Sequence, residues 1–409
     1  MKIIVQKFGG TSVKNEESRL HAIRHVQEAM SSGYKVVAVV SAMGRSGDPY
    51  ATDTLLNLVG GTKGKISKRE YDLLLSCGET ISSIVFSSML NERGIKATAI
   101  TGAKAGFRTN NEHLNAKIID MQCDELVDML NDNDVIVVAG FQGLSKDGFI
   151  TTLGRGGSDT SASALGVALN AEWIDIFTDV EGVMTADPRI VENARSLDIV
   201  TYTEICNMAY QGAKVIHPRA VEIAMHGKVP IRVRSTYSDT TGTLVTTLGN
   251  AKKGTDFNER VITGIAHVSN VSQFKVLSKE GHYNTQKEVF KAMANAEISV
   301  DFFNITPTGV VYTVSGDHTD QAIEILEGLG YEPVVTRKCA KVSAVGAGMS
   351  GVPGVTSKIV TALSENGIQI LQSADSNTTI WVLVKEDDLV LAVNSLHDAF
   401  NLAESEVES

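Results

Sequence analysis

Positive charge and glycine come together close to the N-terminus in a way that suits phosphate. Lys7 follows a short strand-like run of β-branched residues, and Gly9-Gly10 and two hydroxyl residues precede a helix-like segment. Glycines let backbone N–H groups approach an anion closely, and a helix N-terminus favours negative charge. The pattern is not a Walker P-loop, because Lys7 precedes the glycines. We predict a polyphosphate site here, with an ordinary tight turn as the alternative.

The richest stretch for chemistry is residues 151–161, which holds three glycines, an arginine, an acid and several hydroxyls. Arg155 stands among the glycines, before a helix-like segment that runs to about Leu169. Ser158 or Asp159 is expected to cap that helix. A guanidinium beside a helix N-terminus can bind a carboxylate through two hydrogen bonds. A flexible loop with an ordinary cap is the alternative, but so many glycines are costly in entropy, and we predict binding.

The elements that position these residues alternate between strand and helix to about residue 235. Continuous apolar runs at 36–40, Ala97–Ile100 and Val135–Ala139 suit strands buried on both faces of a parallel sheet. Residues 229–234 are predicted to be the last strand of this domain. The alternation predicts an α/β sandwich. Ligands of such folds gather beyond the C-terminal ends of the strands, which is where the glycine and hydroxyl clusters lie.

Composition excludes several classes of function. The 409 residues allow two or three domains, and the net charge of -11 argues against nucleic acid or an anionic membrane as partner. Four scattered cysteines without a C-x-x-C motif indicate neither a zinc knuckle nor a disulfide framework, which fits a reducing cytoplasm. We expect no signal peptide and no apolar stretch long enough to span a bilayer.

An internal repeat follows a Thr- and Gly-rich boundary at residues 239–254. A shift of seventy residues superposes Val289 on Ile359 and Tyr312 on Val382, and each copy reads strand, helix, strand, strand, helix. Each copy is too small to bury its sheet well alone, so we predict sheets joined side by side with ligand sites at the seam. A dimerisation module without a ligand is the alternative.

Together these motifs resemble the aspartokinases of the amino-acid kinase superfamily, over nearly the whole chain. Residues 5–13 are similar to the opening signature of that family. Later signatures follow in order, at residues 41–44, 78–79, 154–159, 178–183 and 185–189. The repeat is similar to the paired ACT regulatory modules of the family. Length and arrangement are most like the single-function, diaminopimelate-sensitive enzymes of bacilli.

The resemblance implies a three-layer α/β/α kinase domain followed by two ferredoxin-like ACT modules of βαββαβ type. It implies a catalytic domain at 1–238, a linker at 239–260, and ACT modules at 261–338 and 339–409. The implied reaction is ATP-dependent phosphorylation of the side-chain carboxylate of L-aspartate to 4-phospho-L-aspartate. This step opens the synthesis of lysine, diaminopimelate, threonine and methionine.

The chemistry of this reaction suits the chain. An aspartate carboxylate has a pKa of about 3.9 and is already nucleophilic at neutral pH, so no general base is required. Phosphoryl transfer depends chiefly on alignment and positive charge. Mg²⁺ is expected to arrive with ATP, because the chain offers few candidate ligands for it and we predict no resident metal site.

Residue roles implied by the resemblance fall into two groups. The aspartate site is expected to contain Ser41, Thr52, Glu79, Arg155, Ser158 and Asp159, with Glu79 and Asp159 attracting the ammonium and Arg155 and Ser158 the α-carboxylate. The nucleotide site is expected to contain Lys7, Phe8, Gly9, Gly10, Thr178, Asp179, Met184, Arg189, Lys214 and Val215. Lys7, Arg155 and Asp159 are expected to be catalytic. An aromatic residue often stands at the position of Met184 in the family.

The two modules are not expected to bind an effector equally. In the second, Pro353-Gly354 leaves backbone N–H groups at a helix N-terminus, which suits a carboxylate. The first has a bulkier, polar loop there, and its candidate effector residues are His282, Tyr283, Asn284, Val300 and Asp301. The resemblance favours meso-diaminopimelate, with lysine or threonine possible, and the loop having lost its binding role is the alternative. Open sheet edges predict a homodimer or a higher homo-oligomer.

Two other functions compete with this interpretation. One is an acetylglutamate or glutamate 5-kinase of the same superfamily. An N-acetylated substrate has no ammonium, so Glu79 with Asp159 argues against it. The other is an amino-acid sensor with a dead kinase domain, which the intact Lys7 and Arg155 argue against. His217, which precedes a proline, is expected to be structural.

Overall fold

A computed structural model describes residues 1–61, 64–213, 215–247, 261–278, 284–349 and 351–404. Two compact units form within these ranges. The first contains Met1–Val183, Ser196–Ala209 and Lys214–Asp256, and the second contains Met184–Arg195, Tyr210–Ala213 and Phe257–Ser409. The second unit thus includes two short pieces from the part of the sequence that was expected to be catalytic.

The first unit contains strands β1 to β12 and helices α1 to α8. Its strands are β1 (Ile3–Phe8), β2 (Lys35–Val40), β3 (Ala97–Ile100), β4 (Phe107–Thr109), β5 (Ile118–Met121), β6 (Val135–Ala139), β7 (Gln142–Ser145), β8 (Ile150–Thr152), β9 (Trp173–Thr178), β10 (Ile199–Thr201), β11 (Ile231–Ser235) and β12 (Thr243–Thr246). Its helices are α1 (Gly10–Val13), α2 (Glu16–Ser31), α3 (Thr52–Asn57), α4 (Lys68–Asn91), α5 (Asp124–Asp132), α6 (Gly157–Ala168), α7 (Tyr202–Tyr210) and α8 (Pro218–Gly227).

The main sheet of this unit has, among the described residues, the strand order β10-β12-β11-β9-β1-β2-β6-β3. All neighbouring strands are parallel except β11 and β12. The apolar runs predicted to be strands are fully buried in β2 and β6, where side chains from α2 and α4 cover one face of the sheet. β1 lies between β2 and β9, so the Gly9-Gly10 turn stands at the C-terminal edge of the sheet beside the ends of both neighbours.

The last strand of the first unit in the sequence differs from the prediction. The strand expected at 229–234 is present as β11, but the prediction that it is the last strand is wrong. β12 follows it within the predicted boundary segment and pairs with β11 in antiparallel register. Two of its four residues are threonine and one is valine, which are β-branched residues enriched in strands, and three of the four are buried.

The start of α6 also differs from the prediction. The helix expected to be capped by Ser158 or Asp159 begins at Gly157, and the residue at its N-cap position is Gly156. Gly156 has a φ of 66°, which glycine adopts without strain. A Cβ there would lie 2.1 Å from Cγ of His217. Ser158 and Asp159 therefore stand in the first turn of the helix, with their side chains available for other contacts.

One helix contradicts the expectation about membrane-spanning segments. By length and composition α4 could cross a bilayer, although 56% of its most apolar window is buried inside the protein. Its buried residues include the acids Asp72 and Glu79 as well as apolar side chains that pack on the sheet. A core helix has these properties, because its apolar surface is covered by its own domain.

The second unit contains two copies of one arrangement, as the repeat predicts. Its strands are β13 (Gly264–Leu277), β14 (Asp301–Thr306), β15 (Gly309–Ser315), β16 (Val334–Val345), β17 (Gln372–Asp375) and β18 (Thr379–Lys385). Its helices are α9 (Thr285–Asn295), α10 (Thr319–Gly328), α11 (Val355–Glu365) and α12 (Leu389–Ala399), with short 3₁₀ helices at Gly316–His318, Ala347–Met349 and Glu386–Asp388. Strands β13 and β15 and helices α9 and α10 begin seventy residues before their counterparts in the second copy.

The two copies share one sheet, which confirms that they are joined side by side. Within the described part of this unit the strand order is β14-β15-β13-β16-β18-β17, with β13 and β16 antiparallel at the seam. The residues that the seventy-residue shift superposes are buried in both copies, for example Val289 with Ile359 and Tyr312 with Val382. Each copy has its own apolar core beneath its two helices. The predicted division at 338–339 falls inside β16.

Candidate active site

Strand ends and the first turn of α6 enclose a cavity of about 430 Å³ in the first unit. Its wall includes eight of the residues predicted for the aspartate and nucleotide sites, which come from five separate parts of the sequence. They are Lys7, Gly10, Ser41, Thr52, Glu79, Arg155, Ser158 and Asp159. Every residue predicted for the aspartate site lines this cavity.

In the wall of the cavity, Lys7 and Asp159 form an ion pair. The Lys7 ammonium lies 2.7 Å from Oδ1 of Asp159, and each side chain is only 13% exposed. Oδ2 of Asp159 accepts a hydrogen bond from the backbone N–H of His217 at 3.2 Å. A Cβ at Gly9 would lie 3.4 Å from the ammonium, so the lysine stands directly beside the glycine turn. The pair places a cation where β1 ends.

The glycine turn packs against the loop that follows β2. The backbone N–H of Gly44 donates to the carbonyl of Gly10 at 3.0 Å. A Cβ at Gly10 would lie 2.5 Å from the carbonyl oxygen of Gly44 and 2.8 Å from that of Ala42. Only glycine fits this position, because the obstructing atoms belong to the backbone. Ser41 begins the loop and Thr52 is the first residue of α3.

Glu79 is another acid of the same cavity wall. Unlike Asp159, it has no ion-pair partner among the described residues. It is 2% exposed, and its Oε1 accepts a hydrogen bond from the backbone N–H of Ala42 at 3.1 Å. Among the described residues Oε2 has no hydrogen-bond partner. Burial raises the pKa of this carboxyl to about 8, against the opposing effect of the Ala42 N–H. A cationic ligand group would stabilise the ionised form and complete its hydrogen bonds.

Arg155 stands next to the left-handed Gly156 and is exposed at the mouth of the cavity. Ser158 is buried two residues into the helix that follows. Guanidinium, hydroxyl and helix N-terminus together suit a carboxylate. The cavity thus combines a cation beside a glycine turn, an unpaired acid, and an arginine at a helix start. Together these groups can bind an amino acid next to a phosphate group.

Comparison with known proteins decides the family. The amino acid kinase family matches residues 2–235, and the ACT domain matches residues 334–398. Aspartokinase 1 of Bacillus subtilis (strain 168) is 69% identical over 403 residues, which are 98% of this chain and 100% of that protein. This chain belongs to the aspartokinases. The predicted family, fold class and aspartate kinase activity are confirmed.

Other aspartokinases match over the same length. The aspartokinase of Geobacillus stearothermophilus is 40% identical and covers 99% of this chain and 98% of that protein. Escherichia coli aspartokinase III in complex with aspartate and ADP (R-state) is 26% identical with a TM-score of 0.77, over 97% of this chain and 99% of that one. The structure of the same enzyme with lysine and aspartate (T-state) is 27% identical with a TM-score of 0.76, over 98% and 100%.

The residues predicted for nucleotide binding by the aspartokinase are dispersed. The side chain of Phe8 is fully buried and stacks on Phe177 at a centroid distance of 4.9 Å, so only its backbone is near the turn. Thr178 ends β9, and Asp179 beside it forms an ion pair with Arg45 at 2.7 Å. Val215 is half-buried in the first unit, whereas Lys214 lies outside the described residues.

Met184 and Arg189 belong to the second unit of the aspartokinase. There the Arg189 guanidinium donates to both carboxylate oxygens of Asp187, from Nε at 2.9 Å and from Nη2 at 2.6 Å. These bonds lower the pKa of Asp187. Met184 is half-buried in the same short segment. The aspartokinase fold therefore distributes the predicted nucleotide residues over both units.

The candidate effector residues also lie in the second unit. Asn284 precedes α9, and Pro353-Gly354 precedes α11, where Gly354 has a φ of 95°. Val300 is half-buried just before β14, and Asp301 forms a 2.5 Å ion pair with the ammonium of Lys341. His282 and Tyr283 lie outside the described residues.

Sequence reasoning missed several residues of the cavity wall, among them Leu75, Leu114, Phe141 and Thr152. Thr152 belongs to the glycine-rich stretch at 151–161, and Phe141 stands between Gly140 and Gly143 directly after the strand predicted at Val135–Ala139, so both had a signal in the sequence. Leu75 lies one turn of α4 before Glu79, so helical spacing from that acid could have found it. Nothing in the sequence around Leu114 indicates that this residue lies in the cavity wall. His217 accepts a hydrogen bond from the backbone N–H of Arg219 and caps α8, which confirms its predicted structural role.

Proposed function

We propose that the aspartokinase transfers the γ-phosphoryl group of ATP to the side chain of aspartate inside this cavity. The observation that carries the proposal is the shared wall. Lys7 beside a glycine turn, the unpaired acid Glu79, and Arg155 at a helix start all face one space. We call the part formed by Lys7, Gly10 and Asp159, with Gly9 beside Lys7, the phosphate end. The part formed by Glu79, Leu114, Thr152 and Arg155 is the amino-acid end.

At the amino-acid end, Glu79 would receive the substrate ammonium together with Asp159 of the phosphate end, and Arg155 with Ser158 would receive the α-carboxylate. Ser41 and Thr52 would approach the reacting carboxylate and the phosphoryl group. Support comes from the Glu79 carboxyl, whose Oε2 has no partner among the described residues and whose raised pKa falls when a cation binds. An ion pair already holds Asp159, so its share in ammonium binding requires Lys7 to turn toward phosphate.

At the phosphate end, Lys7 and the N–H groups of Gly9 and Gly10 would bind the phosphates. The remaining nucleotide contacts would come from the backbone of Phe8 and from Thr178, Asp179, Met184, Arg189, Lys214 and Val215. Positive charge that stays fixed while negative charge spreads over the transferring group lowers the barrier. The largely buried position of the Lys7–Asp159 pair supports this role, because charge acts more strongly there than in water.

Mg²⁺ would enter bound to ATP and neutralise phosphate charge. The fit is reasonable, because the phosphate end supplies a cation and N–H donors rather than a cage of acids. Within the described ranges there is no group of three or more His, Cys, Asp or Glu side chains that could hold a metal ion. The ligands of the ion would therefore be mainly phosphate oxygens and water.

A substrate panel in an aspartyl-hydroxamate assay tests the proposed substrate. Aspartate should be phosphorylated. Glutamate should react roughly 10–200-fold less efficiently because of its additional methylene, and N-acetylglutamate less efficiently still because it also lacks the ammonium. Comparable rates with N-acetylglutamate would indicate a different kinase of the superfamily. Absence of turnover with every substrate would indicate a sensor.

We also propose feedback control of the aspartate-derived pathway through the modules at 261–338 and 339–409. The predicted linker 239–260, which contains β12 of the main sheet, joins them to the predicted catalytic domain at 1–238. Inhibition requires an effector that binds an inactive arrangement better, by roughly 1–3 kcal/mol. Meso-diaminopimelate is the favoured effector, bound near His282, Tyr283, Asn284, Val300 and Asp301. Lysine is the alternative, since the T-state structure of Escherichia coli aspartokinase III holds lysine with aspartate.

The effector proposal is tested by adding diaminopimelate, lysine, threonine and methionine singly to the assay. Diaminopimelate should inhibit, and Asn284→Ala or His282→Ala should abolish inhibition while the basal rate stays. The matched control is a change of Pro353-Gly354, which starts the corresponding helix of the second copy. Inhibition that survives both changes in the first copy and disappears in the control would assign the site to the second copy.

Finally, we propose a cytoplasmic homodimer or higher homo-oligomer. The β14 edge of the second unit exposes Phe303 and Ile305, at 61% and 51%, which favours association. All four cysteines are free thiols, which suits a reducing compartment. Sedimentation at micromolar concentration should give at least a dimer, and a monomer would contradict the proposal.

A further inference from the structure

A buried acid, Asp72, lies behind the amino-acid end and fixes two groups of its wall. Its side chain is 0% exposed. Oδ1 accepts hydrogen bonds from Oγ1 of Thr152 at 2.5 Å and from the backbone N–H of Leu114 at 3.0 Å. Oδ2 lies 2.5 Å from Nδ1 of His113. Thr152 and Leu114 line the cavity, whereas Asp72 does not. One carboxylate therefore joins α4 to two distant pieces of the wall.

Leu114 is held in an unfavourable backbone conformation. Its φ of 70° lies in the left-handed region, which leucine rarely adopts. Such strain persists only where the surrounding structure determines the conformation, and it is concentrated at binding sites. The bond from its N–H to Asp72 is one such determinant. The strained residue is itself part of the wall, so its conformation shapes the cavity.

A second set of bonds ties the same segment to the loop that carries Arg155. The guanidinium of Arg219 donates to the carbonyl of Leu153 at 3.0 Å and to that of Ala116 at 3.1 Å. The backbone N–H of Ala116 donates to the carbonyl of Thr152 at 2.9 Å. A Cβ at Gly154 would lie 2.8 Å from Oδ1 of Asn115. The segment beside Leu114 thus abuts the start of the Arg155 loop.

We propose that Asp72 is a positioning residue that sets the length of the amino acid accepted by the aspartokinase. It anchors Leu114 and Thr152 to α4, the helix that also carries Glu79. The cavity wall therefore cannot shift to make room for a substrate with one more methylene in its side chain. The inference rests on the proposed binding of aspartate by Glu79 and Arg155. Close-packed walls reject larger ligands only when they cannot relax, and one methylene is worth roughly 10–200-fold in discrimination.

Two variants and a matched control test the proposal. Asp72→Asn keeps the size of the side chain, removes its charge and leaves one weaker acceptor oxygen in place of the two carboxylate oxygens. Thr152→Val keeps the shape of its side chain and removes one donor. The control is Asp175→Asn, which alters another acid with a 0% exposed side chain, on β9, paired with Arg232 at 2.6 Å and absent from the cavity wall.

The measurement is kcat/KM for aspartate and for glutamate, with the KM for ATP. Asp72→Asn should raise the aspartate KM about tenfold and lower the aspartate-to-glutamate ratio of kcat/KM by about tenfold, at a nearly unchanged ATP KM. Thr152→Val should lower that ratio by about threefold, because the carboxylate is kept and the Leu114 N–H still donates to it. Asp175→Asn should reduce thermal stability without changing the ratio.

A purely structural role for Asp72 would leave the ratio unchanged in folded Asp72→Asn, and that result overturns the inference. If Asp72→Asn does not fold, an unchanged ratio in Thr152→Val overturns it, and a lowered ratio supports it. Glu79→Gln and Arg155→Ala separate the inference from the function on which it rests. If these variants also leave the aspartate KM unchanged, the proposed aspartate site fails. If they raise it while Asp72→Asn and Thr152→Val change nothing, only the inference fails.

Discussion

The two ends of the cavity hold their acids in opposite states. At the phosphate end, Asp159 lies 2.7 Å from the ammonium of Lys7, so both charges are compensated. At the amino-acid end, Glu79 is buried, its Oε2 lacks a partner among the described residues, and its pKa is raised to about 8. In the proposed mode of binding, the substrates would exchange the ionic partner of Asp159 at one end and displace a proton from Glu79 at the other. Variants at each end should fail in different ways.

The largest effect is expected from Lys7→Ala. Removing the cation should lower kcat by on the order of a hundredfold or more, because its interaction strengthens as charge develops on the transferring group. Hydroxamate kinetics at saturating aspartate measure this. Lys2→Ala is the matched control, because Lys2 lies at the surface. Its side chain is 70% exposed, and its ammonium is 3.8 Å from a carboxylate oxygen of Glu172. A Lys7→Ala variant with nearly normal kcat would remove the phosphate end from the mechanism.

Glu79→Gln should act on aspartate and on its pH dependence. The aspartate KM should rise roughly tenfold to a hundredfold, because a charged hydrogen bond contributes about 1.5–3 kcal/mol. In the unsubstituted enzyme, kcat/KM for aspartate should rise by up to tenfold per pH unit towards about pH 8, since the free carboxyl must ionise to accept the ammonium.

The pH profile separates this role from simple packing. Glutamine cannot ionise, so the rising limb below about pH 8 should disappear in Glu79→Gln. The profile for ATP should not show that limb in either enzyme. If kcat/KM for aspartate still rises with pH in Glu79→Gln, another group is responsible for the titration. The contrast between a paired Asp159 and a protonated Glu79 would then be wrong.

Arg155→Ala should raise the aspartate KM about tenfold, which corresponds to about 1.4 kcal/mol. The loss is expected to be smaller than at Glu79, because Arg155 is exposed and water replaces part of its interaction. The ATP KM should stay within about twofold. Arg155→Lys should recover part of the affinity, because a point charge replaces the bidentate guanidinium. Equal effects on both substrates would contradict its assignment to the amino-acid end.

The smallest effect is expected from Arg45→Ala. Arg45 pairs with Asp179 beyond the phosphate end, but the two side chains are 72% and 44% exposed. Exposed pairs contribute about 0–1 kcal/mol, so the ATP KM should change by about threefold or less. A change of more than tenfold in the ATP KM would show that Arg45 is a further functional cation of the phosphate end. The comparison of the two ends would then have to include it.

Sequence alone predicted the architecture because its signals are local. The apolar runs at β2 and β6 and the turn after β1 each depend on residues near one another, and within each copy of the seventy-residue repeat the pattern of elements is also local. The residues predicted for the aspartate site were all found in the cavity wall, since strand ends of a parallel sheet meet at one edge. Their individual roles remain predictions.

What sequence could not give depends on contacts between distant segments. Nothing local distinguishes Asp72 from a surface acid until Thr152 and Leu114 are seen to donate to it. The start of α6 was misplaced because a glycine N-cap competes with the usual serine and aspartate signals, and the nearby His217 ring decides in favour of glycine. The raised pKa of Glu79 follows from its burial, which no motif encodes.

The strand at the seam of the second unit makes the duplicated copies a single folding unit. β16 pairs with β13 of one copy and with β18 of the other. Withdrawing it would leave two long edges unpaired at once, so neither copy keeps its native sheet while the other opens. Amide protons on both sides of the seam should therefore exchange through one common opening, with similar protection free energies. In a solenoid, by contrast, stability is nearly a sum over repeats, and the copies at the ends fray first.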